Sequence, residues 1–423
     1  MIVFWTVVIT FLVTVIAGVI AFNLTHQEKR IEYLISAKYS VADPQFRRAM
    51  GQLLPPPILP GNRVQTLLNG DQIFPAMLDA IAGAQKTITF ESYIFWSGEI
   101  AQKFTDALAE RARAGVCVHV LVDWAGGFSM KNDYIDQMKE AGVEFQVYHP
   151  LRWYHLDKMN NRTHRKILVV DGKVAFTGGV GIADEWDGNA TDPDHYRDCQ
   201  FRLEGPSVAQ MQSAFMDNWL KVANRVLHDE GYFPPLEPAG DLGGQVFMSS
   251  PQEGSESVRL MFMLSIACAA KRIWIANAYF VPDDLSRKTL IEAKQRGVDV
   301  KVIVPGPKID ARVTRRVSRA RWGPMLEAGI EIYEYQPVLF HCKYAVFDDR
   351  WSSVGSTNFD NRSFRLNDEV ILNVYSAEFA DEQARMFQDD LANSRRITLE
   401  EWRNRPWRDK VKDNFFAIFH KQF

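Results

Sequence analysis

The sequence predicts an α/β protein made of two tandem sandwich units related by a pseudo-twofold axis and preceded by one amino-terminal transmembrane helix. Three observations predict this arrangement. The chain begins with a long uncharged segment, the remainder repeats itself at a spacing of 187 residues, and each copy alternates short strand-like with longer helix-like segments. We therefore expect an anchor followed by two similar globular units.

The first element is the uncharged segment of residues 1–25. Its apolar stretch from Ile2 to Phe22 is long enough to cross a hydrocarbon core of about 30 Å as a helix. A cleavable signal peptide is the alternative, but no basic residue precedes the stretch and no small-residue cleavage site follows it. Because Lys29, Arg30 and Lys38 follow the segment, the positive-inside rule predicts a single-pass protein of the inner or plasma membrane with a cytoplasmic body.

Two proline-rich segments, residues 53–61 and 233–244, divide the rest of the chain. Such segments are stiff and are typical of spacers between folded units. We expect the following division: a transmembrane anchor at 1–25, a linker at 26–61, a first unit at 62–232, a linker at 233–244, a second unit at 245–396, and an amphipathic carboxyl-terminal segment at 397–423.

The net charge and the cysteine spacing of the chain exclude some classes of ligand. The formal net charge of −3 argues against a protein held to nucleic acid by bulk electrostatics, so an anionic ligand must be met by a local site. The four cysteines are too widely separated for the paired spacing of zinc or redox motifs, and we interpret them as free thiols. Free thiols fit domains in a reducing compartment, although four cysteines could also pair.

The internal repeat is plainest where residues 138–150 (MKEAGVEFQVYHP) match residues 325–337 (MLEAGIEIYEYQP). In both copies an apolar helix is followed by a first strand. A helix end, a glycine and a second, alternating strand come next. Each copy is therefore predicted to form a β-α-β-α-β unit in a mixed sheet. Two such units packed about a pseudo-twofold axis bring equivalent residues together at their interface.

Each unit carries one copy of the pattern His-x-Lys-x-x-x-x-Asp, and a glycine turn begins fourteen residues after each histidine. On a strand the histidine and the lysine point to the same face. A phosphate diester suits that pair, because a neutral imidazole can attack phosphorus while cations neutralise the equatorial oxygens. The candidate catalytic residues are His164, Lys166 and Asp171 in the first copy and His341, Lys343 and Asp348 in the second.

One isolated His-x-Lys pair would be typical of a protein surface, whereas two copies in register within a duplication favour one shared site. The two imidazoles would then lie on opposite sides of the phosphorus, one as the nucleophile and one to protonate the departing alkoxide. Pseudo-symmetry makes them chemically alike, so the pattern alone leaves their order open.

The paired motif with its glycine turns resembles the phospholipase D superfamily over roughly residues 67–394. The resemblance implies a phosphohistidine intermediate on His164 and proton transfer by His341. It also implies that Lys166 and Lys343 hold the phosphate oxygens and that Asn358 donates a further hydrogen bond. The first-copy counterpart of Asn358 is Gly181, which departs from strict symmetry.

Four carboxylates accompany the motifs. Asp171 and Asp348 complete the two patterns, but a carboxylate before a turn often caps backbone amides, so a structural role competes with a catalytic one. Asp198 and Glu369 follow the motifs as the superfamily's orienting carboxylates do, and they are the better candidates for fixing imidazole tautomers. The scheme needs no cofactor and no metal.

Several segments resemble bacterial cardiolipin synthases, namely residues 69–71, 91–95, 202–206 and 397–408. The resemblance implies transfer of a phosphatidyl group from one phosphatidylglycerol to another with release of glycerol, a phospholipid substrate, contact with the membrane, and no nucleic-acid partner. Several members carry two membrane spans, whereas this chain offers one candidate.

Three other functions use the same features. A phospholipase D hydrolase would use water as the acceptor, a membrane-tethered nuclease would cleave nucleic acid with steep salt dependence, and an idle lipid-binding scaffold would not turn over.

Two further segments carry hypotheses about lipid contact. Residues between Pro150 and His164, including Trp153 and Tyr154, form an insertion that would shape substrate entry. One predicted helical face carries four arginines, which either bind anionic headgroups or form a solvated basic face; these are Arg312, Arg315, Arg316 and Arg319.

Overall fold

The computed structural model describes residues 1–25, 33–36, 38–150, 161–250 and 257–418. The first helix, α1, spans Ile2–Thr25, and its described side chains are those of residues 3–18. Within the described residues, no helix is both long enough and apolar enough to cross a membrane. The insertion with Trp153 and Tyr154 lies outside the described residues.

After α1 the chain forms helix α2 and then the first half of the fold, whose described residues form seven strands, four α-helices and a short 3-10 helix at Asp184–Trp186. The elements are α2 (Pro44–Leu53), β1 (Leu59–Leu68), α3 (Asn69–Ala82), β2 (Thr87–Ser92), α4 (Glu99–Arg113), β3 (Cys117–Asp123), α5 (Asn132–Glu140), β4 (Glu144–Tyr148), β5 (Ile167–Val170), β6 (Val174–Gly178), β7 (Cys199–Glu204) and α6 (Val208–Ala223).

The second half repeats this order and adds a carboxyl-terminal extension. Its elements are β8 (Leu242–Ser249), α7 (Ser257–Cys268), β9 (Arg272–Asn277), α8 (Asp284–Gln295), β10 (Asp299–Pro305), α9 (Arg312–Ala320), α10 (Gly323–Glu327), β11 (Glu331–Tyr335), β12 (Lys343–Phe347), β13 (Trp351–Gly355), α11 (Asn361–Arg365), β14 (Glu369–Tyr375), α12 (Ala377–Ala392), β15 (Ser394–Ile397), α13 (Leu399–Asn404) and α14 (Trp407–Ala417).

In the described part of the chain, fifteen strands form one continuous mixed sheet. The first half has the order β4-β3-β2-β5-β6-β7-β1, and the second half has the matching order β11-β10-β9-β12-β13-β14-β8 with β15 added at its edge. The halves join where β1 pairs antiparallel with β8. The predicted α/β fold with a mixed sheet is therefore confirmed, and its strand order is duplicated.

The parallel strands follow the predicted β-α-β-α-β pattern. β2, β3 and β4 run parallel in one half, as do β9, β10 and β11 in the other. The motif strands β5 and β12 are fully buried and pair antiparallel with β2 and β9. Because Ile167 pairs with Glu91 and Lys343 pairs with Asn277, the histidine motifs lie at the carboxyl ends of the parallel strands β2 and β9.

A shared apolar core packs between the halves. It unites buried side chains from both halves, including Ile167 and Phe201 of the first half and Tyr344 and Leu372 of the second. Helices α6 and α12 contribute to the same cluster. Burial of this shared surface holds the two sets of motif strands in a fixed relation.

Helix α2 lies within residues 26–61, for which a linker is expected from the sequence. Asp43 caps its first turn by accepting a hydrogen bond from the backbone N of Gln45. Phe46 and Met50 are fully buried in an apolar cluster with residues of the second half, and the ring of Phe46 packs edge-on against Trp351. This part of the segment is thus packed on the globular body.

Asp171 and Asp348 occupy equivalent positions after β5 and β12, each with a φ of +52°. The carboxylate of Asp171 accepts hydrogen bonds from the backbone amides of residues 85, 86 and 87 at 2.7–3.2 Å. Asp348 accepts from residues 270, 271 and 272 at 2.7–3.1 Å. Each aspartate therefore ties the end of a motif strand to the start of the adjacent parallel strand.

Three of the four arginines on the predicted face of α9 pair with carboxylates of the same chain. Arg315 pairs with Glu334, while Arg316 and Arg319 pair with the fully buried Asp413 of α14. The hypothesis that this face receives anionic headgroups is therefore not supported. Its role is to hold the carboxyl-terminal helix against the second half.

The aspartate caps lead to a stability prediction. Asp348→Ala removes the acceptor of three backbone amides and should lower the free energy of unfolding by about 1–3 kcal/mol. The neighbouring Asp349→Ala is a matched control, because the side chain of Asp349 is half exposed and its ion pairs with Lys271 and Arg272 are worth less than about 1 kcal/mol. Denaturant unfolding in detergent measures both, and equal losses would contradict the cap.

Candidate active site

The two motif histidines are brought together because each motif strand begins beside a loop of the other half. An isolated bridge joins Thr163 to Asp368, and the backbone N of His164 donates to the carbonyl of Asp368 at 2.8 Å. Equivalently, Arg197 bridges to Phe340, and the backbone N of His341 donates to the carbonyl of Arg197 at 2.8 Å. Each motif is thus fixed by backbone from the opposite half.

The orienting carboxylates are exchanged between the halves. Nδ1 of His164 lies 2.9 Å and 3.1 Å from the two carboxylate oxygens of Glu369, which belongs to the second half. Nδ1 of His341 lies 2.7 Å from Oδ2 of Asp198, which belongs to the first half. Both pairs are buried. Engagement of Nδ1 in both rings leaves Nε2 as the reactive nitrogen.

The glycine turns make room for these carboxylates. A Cβ atom on Gly179 would lie 2.2 Å from Oδ1 of Asp198, so a side chain there would displace the carboxylate from His341. In the second half the equivalent residue is Ser356, whose hydroxyl donates to Glu369 at 2.6 Å. Ser363 donates to the same carboxylate at 2.6 Å. The two histidine partners therefore have different surroundings.

Two buried lysines complete the cluster. Nζ of Lys166 donates to the carbonyl of His164 at 3.1 Å, and Nζ of Lys343 donates to the carbonyl of His341 at 2.7 Å. Nζ of Lys343 also lies 3.1 Å from Nε2 of His341. Two lysines and two carboxylates thus surround the histidines.

Burial and mutual repulsion shift the pKa values of this cluster. Burial, together with the charges of Lys166 and Lys343, lowers the pKa of His164 well below its usual value. Burial and then Lys343 lower the pKa of His341, while Asp198 opposes the shift. Burial and the charge of Lys343 lower the pKa of Lys166 to about 7. Both imidazoles are therefore held in the neutral form that a nucleophile requires.

The pKa values of the two carboxylates that contact the histidines shift in opposite directions. Burial raises the pKa of Glu369 to about 7 despite hydrogen bonds from Ser356 and Ser363. Burial also acts to raise the pKa of Asp198, but His341 and Lys343 outweigh it and the net pKa lies below the usual value. The charged form of Asp198 favours a protonated His341 more strongly than Glu369 favours a protonated His164.

The remaining predicted site residues fall into two groups. Asn358 follows the second glycine turn and is buried, with its backbone N donating to Ser363 Oγ at 3.1 Å. At its counterpart Gly181, a Cβ would lie 2.8 Å from the side chain of Ile94, so the first half has no room for an equivalent amide. Asp171 and Asp348 contact backbone amides at the far ends of the motif strands, as described above, and contact neither histidine.

Three aromatic residues line the cluster but do not follow from the motif pattern. Trp186 donates from Nε1 to Asp198 at 2.8 Å, and its ring lies 5.3 Å from the ring of His341. Tyr93 packs edge-on against His164 at 5.3 Å, and Tyr279 packs edge-on against His341 at 6.2 Å. For the two tyrosines, the sequence signal is their position just beyond a parallel strand.

A second layer of polar contacts supports His164. The buried guanidinium of Arg165 donates to the carbonyl of Ala214 in α6 at 2.6 Å and to the carbonyl of Ser249 in β8 at 2.9 Å. The hydroxyl of Tyr148 donates to Asp368 at 2.5 Å. These bonds anchor the crossing loop to both halves, so the imidazole position depends on the interface and not on one sheet alone.

The described residues contain one group of possible metal ligands, formed by Asp198, Cys199 and Cys342, whose ligand atoms lie within 4.8 Å of one another. The group fits a metal poorly. Asp198 is engaged by His341 and Trp186, and burial raises the pKa of Cys342 well above its usual value, which favours the protonated thiol. All four cysteines are free, as the sequence predicts.

Comparisons with known proteins point to one family. A family model described as cardiolipin synthase, phospholipase D-like domain, matches residues 77–219 and 263–391. Cardiolipin synthase 1 of Bacillus anthracis is 33% identical over 362 residues, covering 83% of this chain and 71% of the relative. Cardiolipin synthase A of Pseudomonas fluorescens Pf-5 is 33% identical over 384 residues, covering 90% and 79%.

Solved structures support the same fold. Phosphatidylserine synthase of Haemophilus influenzae superposes with a TM-score of 0.70 at 14% identity, covering 90% of this chain and all of that one. Polyphosphate kinase of Porphyromonas gingivalis gives a TM-score of 0.55 at 12% identity. From its matched domains, its relatives and its paired histidine motifs, the chain belongs to the cardiolipin synthase family of the phospholipase D superfamily.

Proposed function

We propose that this enzyme transfers a phosphatidyl group from one phosphatidylglycerol to a hydroxyl of a second, producing cardiolipin and glycerol through a covalent phosphohistidine on His164. The observation that carries the proposal is the exchange of carboxylates, which engages Nδ1 of both imidazoles, leaves Nε2 of each ring for the chemistry, and sets the rings beside Lys166 and Lys343. The relatives named above are cardiolipin synthases.

In the first step Nε2 of His164 attacks the phosphorus of phosphatidylglycerol. His341 takes up a proton when the anionic diester binds, and the ionised Asp198 stabilises the resulting imidazolium. The N–P bond forms as the P–O bond to the glycerol headgroup breaks, and the imidazolium of His341 donates its proton to the departing glycerol oxygen. Glu369 accepts from Nδ1 of His164 and stabilises the positive charge that the ring acquires. Lys166 and Lys343 neutralise the charge that gathers on the non-bridging oxygens.

In the second step a hydroxyl of another phosphatidylglycerol replaces the glycerol. His341, now neutral, accepts the hydroxyl proton while the oxygen attacks phosphorus and the N–P bond to His164 breaks. The ionised Asp198 stabilises the imidazolium that forms. The atoms balance over the two steps, with one glycerol released for each cardiolipin made.

The assignment of His164 as nucleophile is supported by the difference between the two rings. The pKa of His164 is the more strongly lowered, and its partner Glu369 has a raised pKa, so this ring stays neutral and nucleophilic. His341 lies against a carboxylate that remains ionised, so it is the better acid and base.

Transfer to a lipid hydroxyl competes with transfer to water. The rings of Tyr93, Tyr279 and Trp186 lie against the two imidazoles and occupy space that solvent would otherwise fill. We propose that this aromatic lining limits hydrolysis of the phosphohistidine, since exclusion of water protects reactive intermediates.

We further propose that the whole apolar stretch from Ile2 to Phe22, of which the structure describes the side chains of residues 3–18, is a single membrane span, with the catalytic body in the cytoplasm at the inner or plasma membrane. No charged residue lies in its first or last turn, and its described large apolar side chains, such as Phe4, Trp5 and Phe11, are exposed. The proposed division remains a linker over 26–61, units over 62–232 and 245–396 joined by 233–244, and a terminal segment over 397–423.

The proposed reaction predicts its own products. Purified enzyme incubated with phosphatidylglycerol alone should yield cardiolipin and glycerol, identified by mass spectrometry, and His164→Ala and His341→Ala should each lower the rate by at least about a thousandfold. Asp349→Ala serves as a folded control with unchanged products. Phosphatidic acid as the main product would instead make the enzyme a hydrolase, and release of nucleotides from nucleic acid would indicate a nuclease.

The separate roles of the histidines can be tested by trapping. With a phosphatidyl ester of a good leaving group such as nitrophenol, His341→Ala should release one equivalent of leaving group and retain an acid-labile phosphatidyl adduct on His164, because this leaving group needs no proton donor. His164→Ala should form no adduct. Peptide mapping that locates the adduct on His341 in His164→Ala would reverse the assignment.

The lowered lysine pKa predicts the pH dependence. Lys166 is cationic below its pKa of about 7 and loses its charge above it, so kcat/KM for phosphatidylglycerol should fall as the pH rises through this value. In Lys166→Arg the guanidinium stays charged, so the alkaline fall should move to higher pH even where the rate is reduced. Initial rates in mixed micelles measure both profiles, and an unchanged profile in Lys166→Arg would contradict this origin.

A further inference from the structure

The carboxyl-terminal helix α14 presents two unlike faces. On one face Asp409 and Asp413 contact α9, and Asp413 is fully buried. Its carboxylate accepts from Arg319 at 2.8 Å and 3.0 Å and from Arg405 at 3.3 Å. Because a buried carboxylate needs such partners, this face fixes the rotation of the helix about its axis.

With α14 held in this rotation, a stripe of its apolar side chains faces away from the protein. Trp407, Val411, Phe415 and Ile418 are spaced by four, four and three residues, which places them on one side of a helix. Their exposed fractions are 69%, 58%, 57% and 70%. Soluble protein surfaces rarely carry large apolar side chains in a continuous row, and such a row indicates a binding surface.

The positive charges beside the apolar stripe indicate what kind of surface it binds. Arg408 and Lys412 each follow a stripe residue, and both are exposed. A second copy of the same helix would bring these like charges together, whereas anionic lipid headgroups would neutralise them. A tryptophan at the start of the stripe also suits the boundary between headgroups and acyl chains.

The position of α14 links this surface to the active site. α14 packs on α9, and α9 begins just after Asp310, whose carboxylate accepts a hydrogen bond from Tyr279. The ring of Tyr279 in turn packs against His341. The apolar stripe is therefore carried by the helix pair that adjoins one wall of the catalytic cluster.

We propose that α14 lies in the interface of an anionic bilayer, with its apolar stripe among the acyl chains and Arg408 and Lys412 among the headgroups. The ion pairs between Asp413 and the arginines of α9 connect α14 to the second half of the protein. The residues of the stripe are not among the reacting groups, so the proposal stands independently of the reaction proposed above.

The test uses the full chain in lipid nanodiscs rich in phosphatidylglycerol, with the exposed Cys117 replaced by serine. Val411→Cys carries an environment-sensitive fluorophore, and Val226→Cys is the matched control, because both valines are similarly exposed at 58% and 54%. Val226 follows α6 beside Arg225, which pairs with Glu144 at the start of β4, away from the strand ends that face the site. The other cysteines are buried, and label stoichiometry checks that they do not react.

Acyl chains brominated near the headgroup should quench the label at 411 and leave the label at 226 unquenched. Arg408→Gln with Lys412→Gln should reduce the quenching at 411, and raised salt should do the same. A label at 411 that stays as water-exposed as the one at 226 would overturn the proposal. So would a label that is shielded from water but not quenched by brominated lipid, since protein would then cover the stripe. None of these readouts requires turnover.

Discussion

The exchange of carboxylates between the halves is the constraint on which the site depends. Glu369 of the second half fixes the ring of His164, and Asp198 of the first half fixes the ring of His341. Neither half can orient its own histidine, so the imidazoles keep their geometry only while the interface is intact. The shared core and the buried Arg165, which bonds to α6 and β8, maintain that interface.

Burial gives the cluster its chemistry as well as its geometry. In a dry setting, two lysines near two histidines lower one another's affinity for protons, so the imidazoles are neutral and the cations are poised to accept an anion. A bound phosphodiester supplies the negative charge that the cluster lacks. Binding and proton uptake are therefore coupled at this site.

The fold was largely predictable because its signals are local or repeated. The duplication, which is plainest at residues 138–150, and the strand patterns within each copy predict β2–β4 and β9–β11. The two histidine motifs predict one shared site. The sequence also singles out Asp198 and Glu369, but it cannot show that they are exchanged, since only the strand order decides which histidine each one meets. Trp186, Tyr93 and Tyr279 were missed because ring contacts across the interface leave no periodic pattern. The arginine face of α9 was ambiguous until its partner Asp413, far along the chain, was located.

The difference between Gly179 and Ser356 has a further consequence. Were the two halves separate identical subunits, every substitution near one imidazole would appear near the other as well. In a fused chain, the hydroxyl of Ser356 donates to Glu369, whereas Gly179 leaves room for Asp198, which accepts from Trp186. A single chain that carries both copies can therefore give its two imidazoles different surroundings, which two identical subunits could not do.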